Sequence, residues 1–302
     1  MLSGFALVSL KQTRPVPRTA ERGKKKDQFM QKSLFVSLAL VSALLVSRSA
    51  SAQFADAVVS YTSGAGFQPG FNSPASALGE PSRVTVDLFG GPVDPFNSAY
   101  LSSQLVSLGS GGSLTVRFNS PILDDPGHAF GVDFNIYGNA GFVITNEFDL
   151  NTFTWIGTPG TGGALYGADS TGTRVSVSAD GITFYALNPL LAPTVDNLFP
   201  TDGIGNFAAP VDPSLNASSF AGQDLAGIRS LYNGSGGGAG FDISWAQDGL
   251  GQSVSLGSIS YVRVEVFTGN AEIDGFAIVP EPASTSLLLT SLTVMAFARR
   301  RK

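Results

Sequence analysis

Residues 262–266 read Val-Arg-Val-Glu-Val, and residues 275–279, a few positions on, read Gly-Phe-Ala-Ile-Val. The first stretch alternates apolar and charged residues with a period of two. That is the spacing of a strand with one face in a core and the other in water. The same alternation recurs upstream in Leu114-Thr115-Val116-Arg117-Phe118, in Phe130-Gly131-Val132-Asp133-Phe134-Asn135-Ile136 and in Val175-Ser176-Val177-Ser178. A turn at Asp180-Gly181 and Tyr185 follow the last of these, and clusters of Gly, Pro, Asn and Asp separate the strands. Helical spacing shows only over Ser219–Tyr232, where Phe220, Leu225, Ile228 and Leu231 share roughly one face. The pattern predicts an all-β domain, an antiparallel two-sheet sandwich of jelly-roll type. On this alternation Asp133 and Glu265 face outward and read as surface residues.

Between the strands, Phe142–Asp169 and Asn188–Pro213 read as long loops, which in a compact domain tend to be functional or mobile. The run Gly234-Ser235-Gly236-Gly237-Gly238-Ala239-Gly240 reads as flexible by composition, and it lacks the lysine and setting of a phosphate-binding loop.

Charge divides the chain into three. The net charge is −5, yet between Gln53 and Val279 the only basic side chains besides His128 are Arg83, Arg117, Arg174, Arg229 and Arg263. They stand against 20 Asp and Glu in that stretch. Such a domain is repelled by phosphate backbones, which excludes nucleic acid as a partner, and carboxylates in excess suit divalent cations. Cysteine is absent and His128 is the single histidine, so disulfides, thiolate chemistry and histidine-cluster zinc sites are excluded. The roughly 227 residues of 53–279 suffice for one sizeable core.

The ends differ from this middle. Residues 30–52 read as a secretory signal helix: Lys32 and the upstream Lys24–Lys26 give a positive start, Leu34–Val46 is apolar, and Ala50-Ser51-Ala52 presents small residues for signal peptidase. Cleavage is expected between Ala52 and Gln53. Residues 1–29, with Pro15, Pro17 and a charged run, fit poorly ahead of it. They read as disordered or as an over-long start with Met30 the initiator, the alternative being an extended basic leader. At the other end, Pro280-Glu281-Pro282 precedes an uncharged apolar run, Ala283–Ala298, and the basic cluster Arg299, Arg300, Arg301 and Lys302. The run is short for a membrane span but adequate with snorkelling arginines, and the cluster keeps the terminus cytoplasmic.

The order of Pro-Glu-Pro, apolar helix and basic terminus over residues 280–302, together with the distant signal peptide, resembles the PEP-CTERM sorting signal. The resemblance implies an exosortase-type membrane transpeptidase as partner, cleavage near Pro280–Pro282, and transfer to the cell surface or extracellular matrix after transient anchoring in the inner membrane. An ordinary single-pass anchor is the alternative. In both, the prolines keep the peptide extended just outside the bilayer. Within 53–279, five ordered signatures resemble bacterial surface domains with a galactose-binding-like jelly roll. They are Ala77-Leu78-Gly79-Glu80-Pro81, Leu108-Gly109-Ser110-Gly111-Gly112-Ser113-Leu114, Val175–Gly181, Gly240-Phe241-Asp242-Ile243 and Glu272-Ile273-Asp274-Gly275-Phe276. That resemblance implies an adhesive or carbohydrate-binding role without a defined ligand.

Candidate residues follow from chemistry. Asp124 and Asp125, adjacent in a turn, suit calcium, and Asp274 would close such a site from across the sandwich. The plain alternative is a solvated turn whose carboxylates accept backbone hydrogen bonds. Glu272 with Asp274 is the acidic pair a glycosidase would need, though carboxylates this numerous meet by chance. His128 reads as a surface loop residue. Tyr100, Trp155, Tyr166, Tyr232 and Trp245 offer rings for stacking on sugars, Trp155 and Tyr166 foremost, against the alternative that rings fill the core. The expected function is a non-enzymatic exported protein with an adhesive or carbohydrate-binding sandwich. A polysaccharide-acting hydrolase and a purely structural coat component are the alternatives.

Overall fold

The computed structural model describes residues 53–86, 90–168, 172–196 and 199–281, all within one compact unit. The expected signal segment, with Ala50 and Ala52, and the expected C-terminal helix, with Pro282 and Arg299–Arg301, lie outside the described residues. Among the described residues no helix is long and apolar enough to cross a membrane.

The described chain is all-β. In order its strands are β1 (Ala57–Thr62), β2 (Val84–Thr85), β3 (Gly91–Pro92), β4 (Val106–Leu108), β5 (Ser113–Leu123), β6 (Phe134–Gly138), β7 (Gly141–Ile144) and β8 (Phe148–Asp149). They continue with β9 (Thr154–Trp155), β10 (Thr161–Tyr166), β11 (Gly172–Ser178), β12 (Tyr185–Leu187), β13 (Ala239–Phe241), β14 (Ala246–Gln247), β15 (Ser258–Thr268) and β16 (Ala271–Ile278). Two short helices stand where one is expected: α2 (Leu225–Tyr232) lies inside the span 219–232, whereas α1 (Ala217–Phe220) overlaps only its first two residues.

Two antiparallel sheets carry the core. The larger runs β1-β5-β15-β11-β12-β14, and the smaller runs β13-β6-β16-β4. In the larger sheet Val264 lies opposite Leu114 of β5 and Val175 of β11. In the smaller, Ile136 lies between Phe276 of β16 and Ala239 of β13. Leu114, Val116, Val262 and Val264 from one sheet and Phe134, Ile136, Phe241 and Phe276 from the other join in a single buried cluster. The Phe134 and Phe241 rings stack with centroids 5.4 Å apart. Alternating apolar residues build this core because each strand turns every second side chain inward. Burying a large apolar side chain stabilises by about 1.5–3 kcal/mol.

The outer faces differ. Along β15 buried residues alternate with partly exposed ones, whereas every residue of β16 is buried. The second face of the smaller sheet is covered by the segment 199–213. Its Phe207 packs on Tyr137 and Ala277, and the Phe207 carbonyl accepts hydrogen bonds from Tyr137 Oη at 2.7 Å and Asn135 Nδ2 at 3.3 Å. A second small core, with Phe142, Phe199, Val211, Phe220, Ile228 and Tyr232, holds both helices against this cover. Asp224 caps α2 by accepting from Gly227 N, and Arg229 in its last turn forms a two-point ion pair with Asp202.

Four expectations are corrected. Asp133 is buried, because the turn at 125–128 and the Ile243 backbone close over the side that the alternation turns outward. The strand expected over Phe130–Ile136 starts only at Phe134, since Phe130 sits in a turn with φ 59°. Phe142–Asp169 is not one loop: within its described residues lie two ribbons, β7 with β10 and β8 with β9. The glycine run is not mobile. Ser235–Gly238 are buried, and a Cβ on Gly237 would come within 2.3 Å of the Pro200 carbonyl oxygen. With φ of 81°, Gly237 is there because a backbone crossing leaves no room for a side chain.

Candidate functional site

Three places concentrate chemistry: an acidic node at one end of β6, an aromatic hairpin, and the point where the two ends of the domain meet.

The node begins with Asp133, the residue before β6. It is 0 % exposed. Its Oδ1 accepts from His128 Nδ1 at 2.7 Å and from Asp125 N at 3.2 Å, and its Oδ2 accepts from Ile243 N at 2.8 Å. His128, expected on the surface, is 5 % exposed, because the turn after Asp125 folds its ring onto Asp133. Its Nε2 has no hydrogen-bond partner among the described residues. Burial pushes the Asp133 carboxyl up to about 6, against the pull of its hydrogen bonds. Asp124, Asp133 and Asp242 each bring a carboxylate oxygen within 4.8 Å of the others. Burial also raises the Asp124 carboxyl, reinforced by repulsion from Asp242 and Asp125 and opposed by His128.

Two of the three residues expected to bind calcium do not join this group. Asp125 turns its Oδ1 to Gly127 N at 2.8 Å, the local turn bond of the plain reading. Asp274 gives its two oxygens to Ser82, at 2.7 Å to the backbone N and 2.8 Å to Oγ, and burial pushes it up to about 7. Asp242 takes the third place. It caps the turn Ile243–Trp245 and lies in the Gly240–Ile243 signature, so a trace of it is present in the sequence. Oxygens bound to calcium at about 2.3–2.6 Å can lie up to about 5 Å apart, so the three carboxylates are spaced to share a hard cation. Asp133 already uses both oxygens to tie three separate chain segments together, which makes it a structural anchor in its own right.

Among the described residues, none of the five arginines is paired with the node. Arg83 pairs with Glu80, Arg117 with Asp56, Arg174 with Glu265 and Arg229 with Asp202. Arg263 donates to Thr115 Oγ1 and lies 3.6 Å over the Phe184 ring.

Three further acids are internal. Glu272 accepts from Ser107 Oγ at 2.9 Å, so it and Asp274 are each held by a different serine inside the fold. Asp196, buried with φ 59°, accepts from Ala140 N at 2.9 Å and Glu272 N at 3.2 Å. Burial, with Glu272 nearby, pushes it up to about 7.

The aromatic hairpin is β8–β9. Trp155 lies opposite Phe148, with ring centroids 4.9 Å apart, and Phe153 stands 6.4 Å from Phe148. Leu150 and Phe153 are 73 % and 77 % exposed, and Ile156 is also open to solvent. Asn146 pins the base, donating to the Ile156 and Thr158 carbonyls and accepting from Gly160 N. Trp155 is thus an exposed ring, as a sugar platform requires. Tyr166 sits on the other ribbon, where its hydroxyl donates to the Phe96 carbonyl at 3.1 Å. The Trp155 ring partner is Phe148 rather than Tyr166. Tyr232 is buried and Trp245 packs on the main core, as the core reading of these rings has it.

At the third place the two ends of the domain lie side by side. Ile278 N donates to the Gln53 carbonyl at 2.8 Å, Ala55 N donates to the Phe276 carbonyl at 3.3 Å, and Phe54 bridges Ala277. Val279 N donates to the Asp133 carbonyl at 2.8 Å, and Pro280 lines an open cavity of about 450 Å³ with Phe130, Ala209 and Leu231. Gln53 and the first residues of the Pro-Glu-Pro motif therefore emerge together.

Neither protein-family models nor curated proteins give a match to this chain.

Proposed function

We propose that this chain is an exported protein of the cell surface or extracellular matrix, sorted through its 280–302 tail, whose jelly-roll-type sandwich binds neutral polysaccharide. On this reading signal peptidase cuts ahead of Gln53 and an exosortase-type transpeptidase acts near Pro280–Pro282. The observation that carries the binding half is the exposed cluster of Phe148, Phe153 and Trp155. Aromatic faces stack on the apolar faces of sugar rings. Asn146, Asn151, Thr152 and Thr154 around them are neutral hydrogen-bonding groups, and Glu147 and Asp149 repel anionic surfaces. A protein exposing this much apolar surface uses it for contact.

The test is retention of the full chain in native gels cast with neutral or with acidic polysaccharides. The wild type is expected to be slowed by at least one neutral polymer and released by Trp155→Ala. Equal mobility of both proteins in every polymer would overturn the binding half. Intact mass of protein taken from its native surface tests the sorting half. Termini at Gln53 and near Pro280–Pro282 are expected, and retention of Arg299–Lys302 in all of the material would remove it.

A further inference from the structure

The hydrogen bonds between the two ends of the domain do more than close it. β4 pairs with β16 only through Ala271, Glu272 and Ile273. β6 pairs with β16 as far as Ile278, on the opposite edge. Beyond Ile273 the edge that faces away from β6 would be an unpaired strand edge, with free N–H and C=O groups of the kind proteins rarely leave open. Gln53–Ala55 fills it. Ala55 and Gln53 supply the bonds to Phe276 and Ile278, and the half-buried Phe54 between them packs against Tyr137, Phe207 and Ala277. Ala55 is buried at 1 % exposure and its carbonyl accepts from Gly79 N at 2.9 Å, which fixes the segment from its other side.

This edge lies immediately before the sorting motif. From Ile278, held by Gln53 and β6, only Val279 separates the sheet from Pro280, and Val279 N is itself bonded to Asp133. There is no spacer between fold and motif, so whatever sets the last turn of backbone at Ile278 sets where Pro280 and Glu281 point.

The geometry points to a coupling between the two processing sites: Gln53–Ala55, the first residues after the expected signal cut, act as a positioning strand that holds the Pro280–Glu281 motif for its processing enzyme. It rests on the reading of 280–302 as a sorting tail. The arrangement also brings Gln53 and Pro280 side by side at the edge of the domain, so the two expected cuts fall next to each other. A cut a few residues downstream of Gln53 would remove the strand and leave the edge of β16 bare.

The test uses the full chain with Phe54→Asp, which puts a charge into the Tyr137–Phe207 contact, Phe54→Ala as a gentler variant and Phe54→Leu as the conservative one. In detergent-solubilised protein, hydrogen exchange at the Ile278 amide is expected to speed at least tenfold in Phe54→Asp, with the Val116 and Val264 amides unchanged as a check of folding. In cells that carry an exosortase, the half-time for loss of the tail, read by mass, is expected to lengthen at least fivefold, with signal cleavage intact and Phe54→Leu close to wild type. If Phe54→Asp disturbs Val116 and Val264, Phe54→Ala is read in its place. Faster exchange at Ile278 with unaltered tail loss would overturn the coupling while leaving the sorting reading standing. Unchanged exchange would overturn the positioning strand itself. A wild-type chain that never loses its tail would overturn the sorting reading, and the coupling with it.

Discussion

Along β15 the larger sheet turns charged residues to a partly open outer face, whereas the smaller sheet hides the corresponding face under a second layer. In β15 the residues between the core valines are Arg263 and Glu265, and each meets a partner at the surface: Thr115 and the Phe184 ring for one, Arg174 for the other. In β6 the residues flanking Ile136 are Asn135 and Tyr137, with Asp133 just before the strand, and all three are buried. Both strands alternate polar and apolar residues. What differs is a layer supplied from elsewhere in the chain. A polar residue in a strand therefore reports which face it occupies, and not whether that face is wet.

The comparison is broken most sharply by removing the cover. Phe207→Ala deletes the ring that packs on Tyr137 and Ala277, and a buried Phe→Ala change costs about 3–5 kcal/mol. Urea unfolding is expected to show that loss, and a loss under 1 kcal/mol would mean that the cover is not part of the cooperative fold.

The pH dependence separates the faces next. Asp133, Asp196 and Asp274 sit behind or beside the smaller sheet, with carboxyls pushed to about 6, 7 and 7 by burial. Their folded values lie above the ordinary value near 3.9, so the unfolded state ionises first. Stability is expected to be greatest near pH 4 and to fall as pH rises through these values to about 7, by several kcal/mol in total, beyond which these groups add little further loss. Asp274→Asn is expected to flatten that slope in unfolding curves taken at pH 4.5, 6 and 8. A domain that gains stability over this range would contradict the burial of these acids.

Asp133→Asn sharpens the contrast at one residue. The amide cannot accept from His128, Asp125 and Ile243 at once, and one buried donor left without a partner costs about 1–3 kcal/mol. Thermal unfolding reads it. The matching change on the open face, Arg174→Ala, breaks an ion pair that water screens and is expected to cost less than about 1 kcal/mol. Trp155→Ala has the smallest effect of all on stability, within about 0.5 kcal/mol as for an exposed residue, while it removes polysaccharide retention.

These outcomes bear on how much could be read from residues alone. The strands Leu114–Phe118 and Val262–Val266 were legible because burial mainly on one side imposes a period of two, Val175–Ser178 keeps that alternation although it is buried throughout, and Gly275–Ile278, also buried throughout, was legible as a short apolar run. The helix at Leu225–Tyr232 was legible because its apolar residues keep the helical spacing. Residues 199–213 form neither, so no period announces that Phe207 and Phe199 will cover a sheet. That gap hides the burial of Asn135 and Tyr137, whereas Asp133 and His128 read as surface residues because no local pattern brings the 125–128 turn and Ile243 together on Asp133. Composition misled at Ser235–Gly238, where glycine signals close approach rather than freedom. At the candidate node the sequence showed Asp124 and the turn, but Asp242 is 118 positions away, and only the fold brings it to Asp124. The exposure of Trp155 was the expectation nearest to the structure, since the long segment around it had no counterpart pattern that would bury it.

Among the described residues every arginine is already engaged within its own molecule, by a carboxylate or by a hydroxyl and an aromatic ring. Seen by a neighbouring copy, such a domain offers negative charge with no unpaired counter-charge to answer it. Over distances of about 8 Å, the screening length at physiological salt, two copies crowded on one surface push each other apart. Their spacing in a layer would then depend on ionic strength, packing closer in brine than in fresh water.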